Sequence, residues 1–463
     1  MAPVPISDDK TCILVLGDFL GTGMSQPEDD GVTWTPVPAT PDSVMKLAGL
    51  RPRIRLAPDE DGPGEAMVLS SLQSLDPGEI FQNADRFASW REARERAKSG
   101  EDPFQVPDDP VPPLSSPEVE DGAGLLDSIL DSAQPHTPAP EPGSPEEIQA
   151  FAREVVRPHL VKDDSDIKTR VAAVDEAISR AMSALIHTVS FQRVEAIWRS
   201  VVFLLSRLDA TGKVRVYLVH LPKERLARDL AQGSSSAPRH LRDLLRSPQL
   251  GVPGRRWSMV VGAYDLAFTA NDIHLLAEMA PLAREADVPL ITSLGLPGDD
   301  ESAPREGEED PGLRWGALRA SPSASWLGVT YPRFLLREPF GEGAKQVKPF
   351  HFKEETPSRD AFLWGSGAFV AATLLAQSLL EGHRAPGSDS GLELLGMPHG
   401  SLQEGSEEPP SSLEFSLTPD DVRTFLGIGV MPLFAIPGRA SVRLGGFQSV
   451  MEPRNSLSAW WRR

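Results

Sequence analysis

Phe191-Gln192-Arg193-Val194-Glu195-Ala196-Ile197-Trp198-Arg199-Ser200 is the stretch on which the reading of this chain turns. Phe191, Val194, Trp198, Val201, Leu205 and Leu208 recur at helical spacing and define one apolar face. A second helical pattern stands before it, carried by Ile167, Val171, Val174, Ile178 and Leu185. His187 and Ser190 lie between the two, and the Ser190 hydroxyl has the chemistry of an N-cap, able to accept from the first free N–H groups of a helix. Two apolar helices in succession need a surface to bury against. Val214 to Leu221, rich in Val and Leu, supplies the strand that follows. The pair reads as a packing unit on a sheet, with His187 a packing histidine rather than a catalyst.

The totals set limits on what the chain can do. Its 463 residues hold two or three domains, and 40% hydrophobic residues suffice for real cores. A net charge of −20 argues against nucleic acid, whose binding needs a basic footprint on phosphates, and against an anionic membrane surface. The single cysteine, Cys12, rules out an intramolecular disulfide and a Cys-based zinc cluster, and its apolar neighbours mark it as a small buried hydrophobe. Met1 to Lys10 lacks a signal-peptide pattern, and no apolar run is long enough to span a bilayer. These features predict a protein of a reducing, cytoplasmic compartment.

Taken in order, Cys12 to Leu16 is a buried strand, followed by a glycine-bearing turn, Gly17-Asp18-Phe19-Leu20-Gly21-Thr22-Gly23. No helix follows to present N–H groups to a phosphate, so this is a plain turn. Arg53–Leu56 and Met67–Leu69 predict a hairpin, and Leu75 onward predicts a helix running through Phe87 and Trp90. Residues 1–98 thus form a small N-terminal α+β unit. Residues 99–150 hold 11 of the chain's 44 prolines and many acids, a composition that cannot bury enough apolar area to offset chain entropy. This is a Pro-rich acidic linker, broken by an apolar island that predicts a short helix over 124–131. Residues 151–463 make a larger α/β domain with a mixed sheet, in which strand, crossover helix and strand from Trp257 to Leu294 predict a parallel βαβ unit. Pro281 predicts a kink in the crossover helix.

Chemistry is sparse. Gly365-Ser366-Gly367 is too short for a nucleophile elbow. The nine histidines are scattered, and His351, near Glu354 and Glu355, has no second histidine at metal spacing. No catalytic, metal or cofactor residue is assigned. Tyr264-Asp265 at a strand end occupies the place where open α/β sheets carry their sites, which keeps an enzyme as the alternative. Arg333 and Arg337 have the geometry to grip carboxylates in two-pronged fashion, as a structural or inter-subunit pair. The packing and assembly candidates are Asp18, Phe191, Glu195, Trp198, Arg199, Tyr264, Asp265, Arg333, Arg337 and Trp364.

Two parts of the chain resemble the two subunits of the type VI secretion contractile sheath, joined in one polypeptide. The N-terminal part is similar to the small subunit in its strand-Gly17-Asp18-Phe19-x-Gly21 opening, Arg53-Ile54-Arg55-Leu56, and Leu72-Gln73-Ser74-Leu75-Asp76-Pro77. From about Leu125 the chain resembles the large subunit. Ile186-His187 with Phe191–Arg199, Gly262-Ala263-Tyr264-Asp265-Leu266, Pro332–Gly341, Leu363-Trp364-Gly365, Met431-Pro432-Leu433 and Phe447-Gln448-Ser449 occur in the family's order. The resemblance implies a structural, non-enzymatic role. Family members polymerise around an inner tube of Hcp rings, exchange β-strands between neighbours, and are recycled by an AAA+ unfoldase; a baseplate is the further expected partner. Two departures matter: the large subunit's segment beyond Phe447-Gln448-Ser449 and the small subunit's C-terminal strand have no counterpart here. They keep open a specialised cap or adaptor that does not contract. Trp460 and Trp461, near the chain end, are expected to mark either a docking surface or a tail packed on its own chain.

Overall fold

A computed structural model describes residues 11–21, 34–55, 66–103, 167–208, 212–231, 237–246, 255–295, 310–341, 346–383, 392–400, 411–436 and 439–462. The strands are β1 (Thr11–Gly17), β2 (Val37–Ala39), β3 (Arg53–Arg55), β4 (Ala66–Val68), β5 (Val214–His220), β6 (Met259–Ala263) and β7 (Leu290–Ser293). They continue as β8 (Leu327–Tyr331), β9 (Phe334–Leu335), β10 (Trp364–Gly365), β11 (Glu393–Leu395), β12 (Val430–Ala435) and β13 (Ser441–Leu444). The helices are α1 (Pro41–Met45), α2 (Pro77–Asn83), α3 (Ala88–Ser99), α4 (Ile167–Ile186), α5 (Val189–Leu208) and α6 (Lys223–Ala231). After them come α7 (Ala237–Arg246), α8 (Ala270–Ala286), α9 (Pro311–Ala320), α10 (Ala368–Leu380) and α11 (Pro419–Gly427).

Nine strands form one mixed sheet in the order β11-β13-β12-β8-β7-β6-β1-β5-β2. From β5 to β12 every pairing is parallel, and antiparallel strands close both edges. The expected parallel unit from β6 through α8 to β7 is present. The fold is therefore mixed α/β, and the sheet is covered on both faces. Along β1, Ile13 and Val15 join one apolar cluster with α4, α5 and α10, while Cys12, Leu14 and Leu16 join the other with α6, α7, α8 and α9. A strand buried on both faces needs a continuous apolar run, which Cys12 to Leu16 supplies.

The placement of β1 redraws the domain boundaries expected from sequence. The N-terminal segment donates this strand to the middle of the sheet, hydrogen-bonded to β5 on one side and β6 on the other. Its helix α3 packs on α4, tied by Arg94 to Asp175 at 2.6 Å, with Arg94 and Asp175 both largely buried. The two segments thus share one sheet and one core. The hairpin β3–β4 forms as expected.

Several local expectations need correction. α5 begins at Val189, so Ser190 lies inside its first turn rather than capping it. The Thr188 hydroxyl before it donates to Leu185 O. Pro281 is accommodated within one continuous α8. The helix expected through Phe87 and Trp90 is broken, because Asp76 caps α2 through the Gly78 N–H and a tight turn at Asp85–Phe87 separates it from α3. The tail contains α11, opened by a Thr418–Asp421 capping box. Trp460 and Trp461 pack on their own chain, donating to the carbonyls of Trp257 and Ser258. The proposed helix at 124–131 lies outside the described residues.

Candidate functional site

The apolar face of α5 carries one residue that should not be there: Glu195, fully buried beside Phe191, Val194 and Trp198. A buried carboxylate must find cations and donors or give up its charge. Glu195 finds two. Arg199, one turn on, meets Oε1 through Nε at 2.6 Å. Arg337 Nε meets the same oxygen at 2.9 Å, with Nη2 at 3.4 Å from Oε2. The other side of the Arg337 guanidinium grips Glu354, Nη1 to Oε2 at 2.7 Å and Nη2 to Oε1 at 3.2 Å. Glu354 also accepts the Phe340 N–H at 2.7 Å and lies 3.1 Å from His187 Nε2. The Phe340 ring lies under the guanidinium, 4.1 Å from its carbon.

Burial works to raise both carboxyls, yet the Arg337 charge and the hydrogen bonds of the cluster override it. Glu354 is held at about 2, and Glu195 is likewise lowered. For Arg337 burial favours the neutral form, and the two carboxylates overcome it, so its pKa is raised. None of these three groups, Glu195, Glu354 and Arg337, titrates near neutrality. The cluster joins α5, the turn between α4 and α5, and the segment from Arg337 to Glu354, and it acts as a structural tie.

The remaining candidates are distributed over the sheet. Trp198 is fully buried, its indole N–H donating to Phe19 O at 3.1 Å, with the Phe19 ring 5.4 Å away edge-on. Phe191 is fully buried alongside. Arg333 makes a two-pronged pair with Glu414 at 2.9 and 2.6 Å within the chain. Trp364 donates to Arg359 O at 2.7 Å. Asp18 lies 3.5 Å from His220 Nδ1 at the ends of β1 and β5.

Tyr264 and Asp265 follow β6 at that same end of the sheet. Burial, with the charges of Asp18 and Glu224, raises the Tyr264 phenol far above its usual range. Asp265 is exposed, and its carbonyl accepts from Lys223 Nζ at 3.0 Å. A small crevice in the structure lies elsewhere, between the sheet and helices α7 and α8, and is lined only by apolar residues such as Leu16, Leu241, Met279 and Leu290. Among the described residues no group of three or more His, Cys, Asp or Glu side chains is placed to hold a metal, and no helix is long and apolar enough to cross a membrane.

Sequence reasoning missed the partners: Glu354, Glu414, Asp175 and Arg94. Two arginines four apart, Arg333 and Arg337, flanking the apolar Phe334-Leu335-Leu336, call for carboxylates, but local spacing does not say which ones.

Fold and site together define a structural α/β scaffold, locked by buried ion pairs. The comparisons with known proteins agree. The VipB family, described as EvpB/VC_A0108, tail sheath N-terminal domain, matches residues 168–297 and 301–451. The type VI secretion system sheath protein TssC1 of Pseudomonas aeruginosa is 26% identical over 318 residues. That match covers 64% of this chain and 64% of the relative, so the chain spans under two thirds of the relative's length. The chain belongs to the VipB tail sheath family.

Proposed function

We propose that this chain is a structural subunit of a type VI secretion sheath in which the N-terminal segment serves, within one polypeptide, as the small-subunit part. The supporting observation is the position of β1. The family match begins at residue 168, yet the sheet built by the matched residues has β1, from residues 11–17, between β5 and β6. Without that strand, β5 would lack a partner on one side along seven residues of ladder and β6 along five. A strand of the N-terminal segment inside the sheet of the family-matched residues supports the fusion reading. The partners on this reading are further copies or sheath subunits, with an Hcp-like inner tube, a baseplate and an AAA+ unfoldase in the cytoplasm.

Negative-stain microscopy of the purified full chain, alone and with Hcp-type rings, tests it. Tubes or ring-derived particles are expected. A chain that stays monomeric at all concentrations, and with rings present, would overturn the proposal.

A second reading, a non-contracting cap or adaptor, has its own support at the sheet edges. Edge strand β2 is three residues long and contains Pro38, which has no N–H to offer. On the opposite edge, the Arg207 guanidinium occupies the Leu395 and Gly396 carbonyls at 3.0 and 3.1 Å. Both devices hinder addition of another strand. On this reading the chain binds the end of a preformed sheath and does not polymerise by itself.

A further inference from the structure

Residues 449–461 are held by the amino ends of three neighbouring strands. β8, β7 and β6 lie side by side in the sheet, with β1 next in line. The segment meets them in that order. The Val450 N–H donates to Leu327 O at the start of β8 at 2.9 Å, and the Ser458 N–H to Ser325 O just before it at 2.7 Å. The Trp460 N–H reaches Asp287 O, ahead of β7, at 3.0 Å. The Trp460 and Trp461 indoles then donate to Trp257 O at 2.8 Å and Ser258 O at 2.9 Å, immediately before β6. Leu457 is fully buried and lies over Gly328 of β8, where an added Cβ would be 3.5 Å from its Cδ2. Residues 452–456, which lead into this anchored part, are exposed.

Ser258 carries this hold on to β1. Its N–H donates to Cys12 O at 2.7 Å, and its hydroxyl accepts from the Cys12 N–H at 3.1 Å. The exchange stands one step before the ladder of β1 with β6, whose first pair is Ile13 with Met259. Trp257 beside it is buried, packs edge-on against Tyr217 of β5 at 5.4 Å, and donates to Leu244 O of α7 at 2.8 Å. The carbonyls of Trp257 and Ser258 take the two indole N–H groups, while their remaining polar groups hold β1 and α7. Tryptophan suits such a place, since it joins a large apolar face to one directed donor. Residues 449–461 and the N-terminal strand therefore grip the same dipeptide.

We propose that residues 454–461 form a separable strap that latches β1 into the sheet, so that lifting the strap loosens the N-terminal strand before the rest of the fold. The inference rests on the position of β1 and not on the sheath reading. Local opening of this kind is read by amide hydrogen exchange, because each amide exchanges through the easiest opening that exposes it. Exchange is followed by mass spectrometry of peptic fragments, in the full chain and in a chain shortened after Pro453. Fragments covering residues 11–17 and 257–263 are expected to exchange at least tenfold faster in the shortened chain. Fragments covering α3 and α4, which have their own tie between Arg94 and Asp175, are expected to stay within about twofold.

A double variant, Trp460→Phe with Trp461→Phe, keeps most of the ring area and removes both indole donors. It is expected to show a smaller rise at the same fragments, and it decides the matter if the shortened chain fails to fold. A labelled peptide of residues 454–463 is expected to bind the shortened chain by fluorescence anisotropy and to return exchange at residues 11–17 towards the full-chain rate. The full chain, whose strap is seated, is expected not to bind it. Unchanged exchange at residues 11–17 in both variants overturns the proposal. A uniform rise over all fragments also overturns it, since that marks general destabilisation, as does a peptide that neither binds the folded shortened chain nor restores protection. Absence of tubes by microscopy bears on the sheath reading alone, because the exchange assay needs no polymer.

Discussion

Replacing Arg337 by Met should destabilise the protein by about 4 kcal/mol at neutral pH. Its guanidinium touches two carboxylates whose side chains are 0% and 1% exposed, those of Glu195 and Glu354. Removing one member of such a cluster leaves buried charge without its counter-ion, which costs about 3–5 kcal/mol. The depressed Glu354 pKa gives an independent figure. A fall from 4.5 to about 2 corresponds to about 3 kcal/mol of preference for the charged form in the folded state. Arg199 stays beside Glu195 and His187 beside Glu354, which keeps the loss from doubling.

The assay is urea unfolding followed by tryptophan fluorescence, and Trp198 reports from the same helix. A triple variant, Arg337→Met with Glu195→Gln and Glu354→Gln, removes the orphaned charges and should recover most of the loss. A single variant within about 1 kcal/mol of the parent, or a triple variant no better than the single, would refute the reasoning. The pH dependence has a definite sign. Because the folded Glu354 and Glu195 pKa values are depressed, their contribution is complete above the unfolded value near 4.5. It is lost as the pH falls towards 2. Stability of the parent should therefore decline between about pH 5 and 2, and the deficit of Arg337→Met should shrink over the same window as its orphaned carboxyls take up protons.

Trp198→Ala should cost about 3–5 kcal/mol, since a fully buried indole against Phe19 is removed and leaves a cavity; the urea midpoint checks it. Asp175→Ala strips α3 of its buried tie to α4 and frees the His351 N–H, so about 2–4 kcal/mol is expected, with early proteolysis of the N-terminal segment as a second readout. Gly21→Ala should lower stability by at least 1 kcal/mol, because φ is +68° and the new methyl would lie 2.7–2.8 Å from Val194 and Arg53 O. Asp265→Asn should leave both stability and assembly unchanged, as its carboxylate is exposed and only its carbonyl is used by Lys223.

The helices were legible because their signal is local. The face of α5 and the run Val214–Leu221 each announce themselves within twenty residues, and the structure places both within one turn of expectation. Partner choice is not local. Arg337 plainly needed carboxylates, but the ones it takes are 142 and 17 positions away. Nothing in the spacing of either glutamate distinguishes it from a solvated one. Capping was misjudged at Ser190 for a related reason: several hydroxyls flank the start of a helix, and the backbone path decides which residue stands outside it.

Strand order is the part a local reading cannot reach, and β1 shows why. Its apolar run predicts a buried strand, and the structure covers that strand on both faces, with strands on either side and helices above and below. Residues 18–103 contain only β2, β3 and β4 as described strands, and none of them pairs with β1. A doubly buried parallel strand with no candidate neighbour in its own segment must be completed by strands from farther along the chain. Read locally, the run Cys12–Leu16 falls in a separate N-terminal unit, because its partners β5 and β6 begin only at Val214 and Met259. Its length and hydrophobicity suit the centre of a large sheet, and the α/β segment after residue 208 was the part of the chain able to provide one.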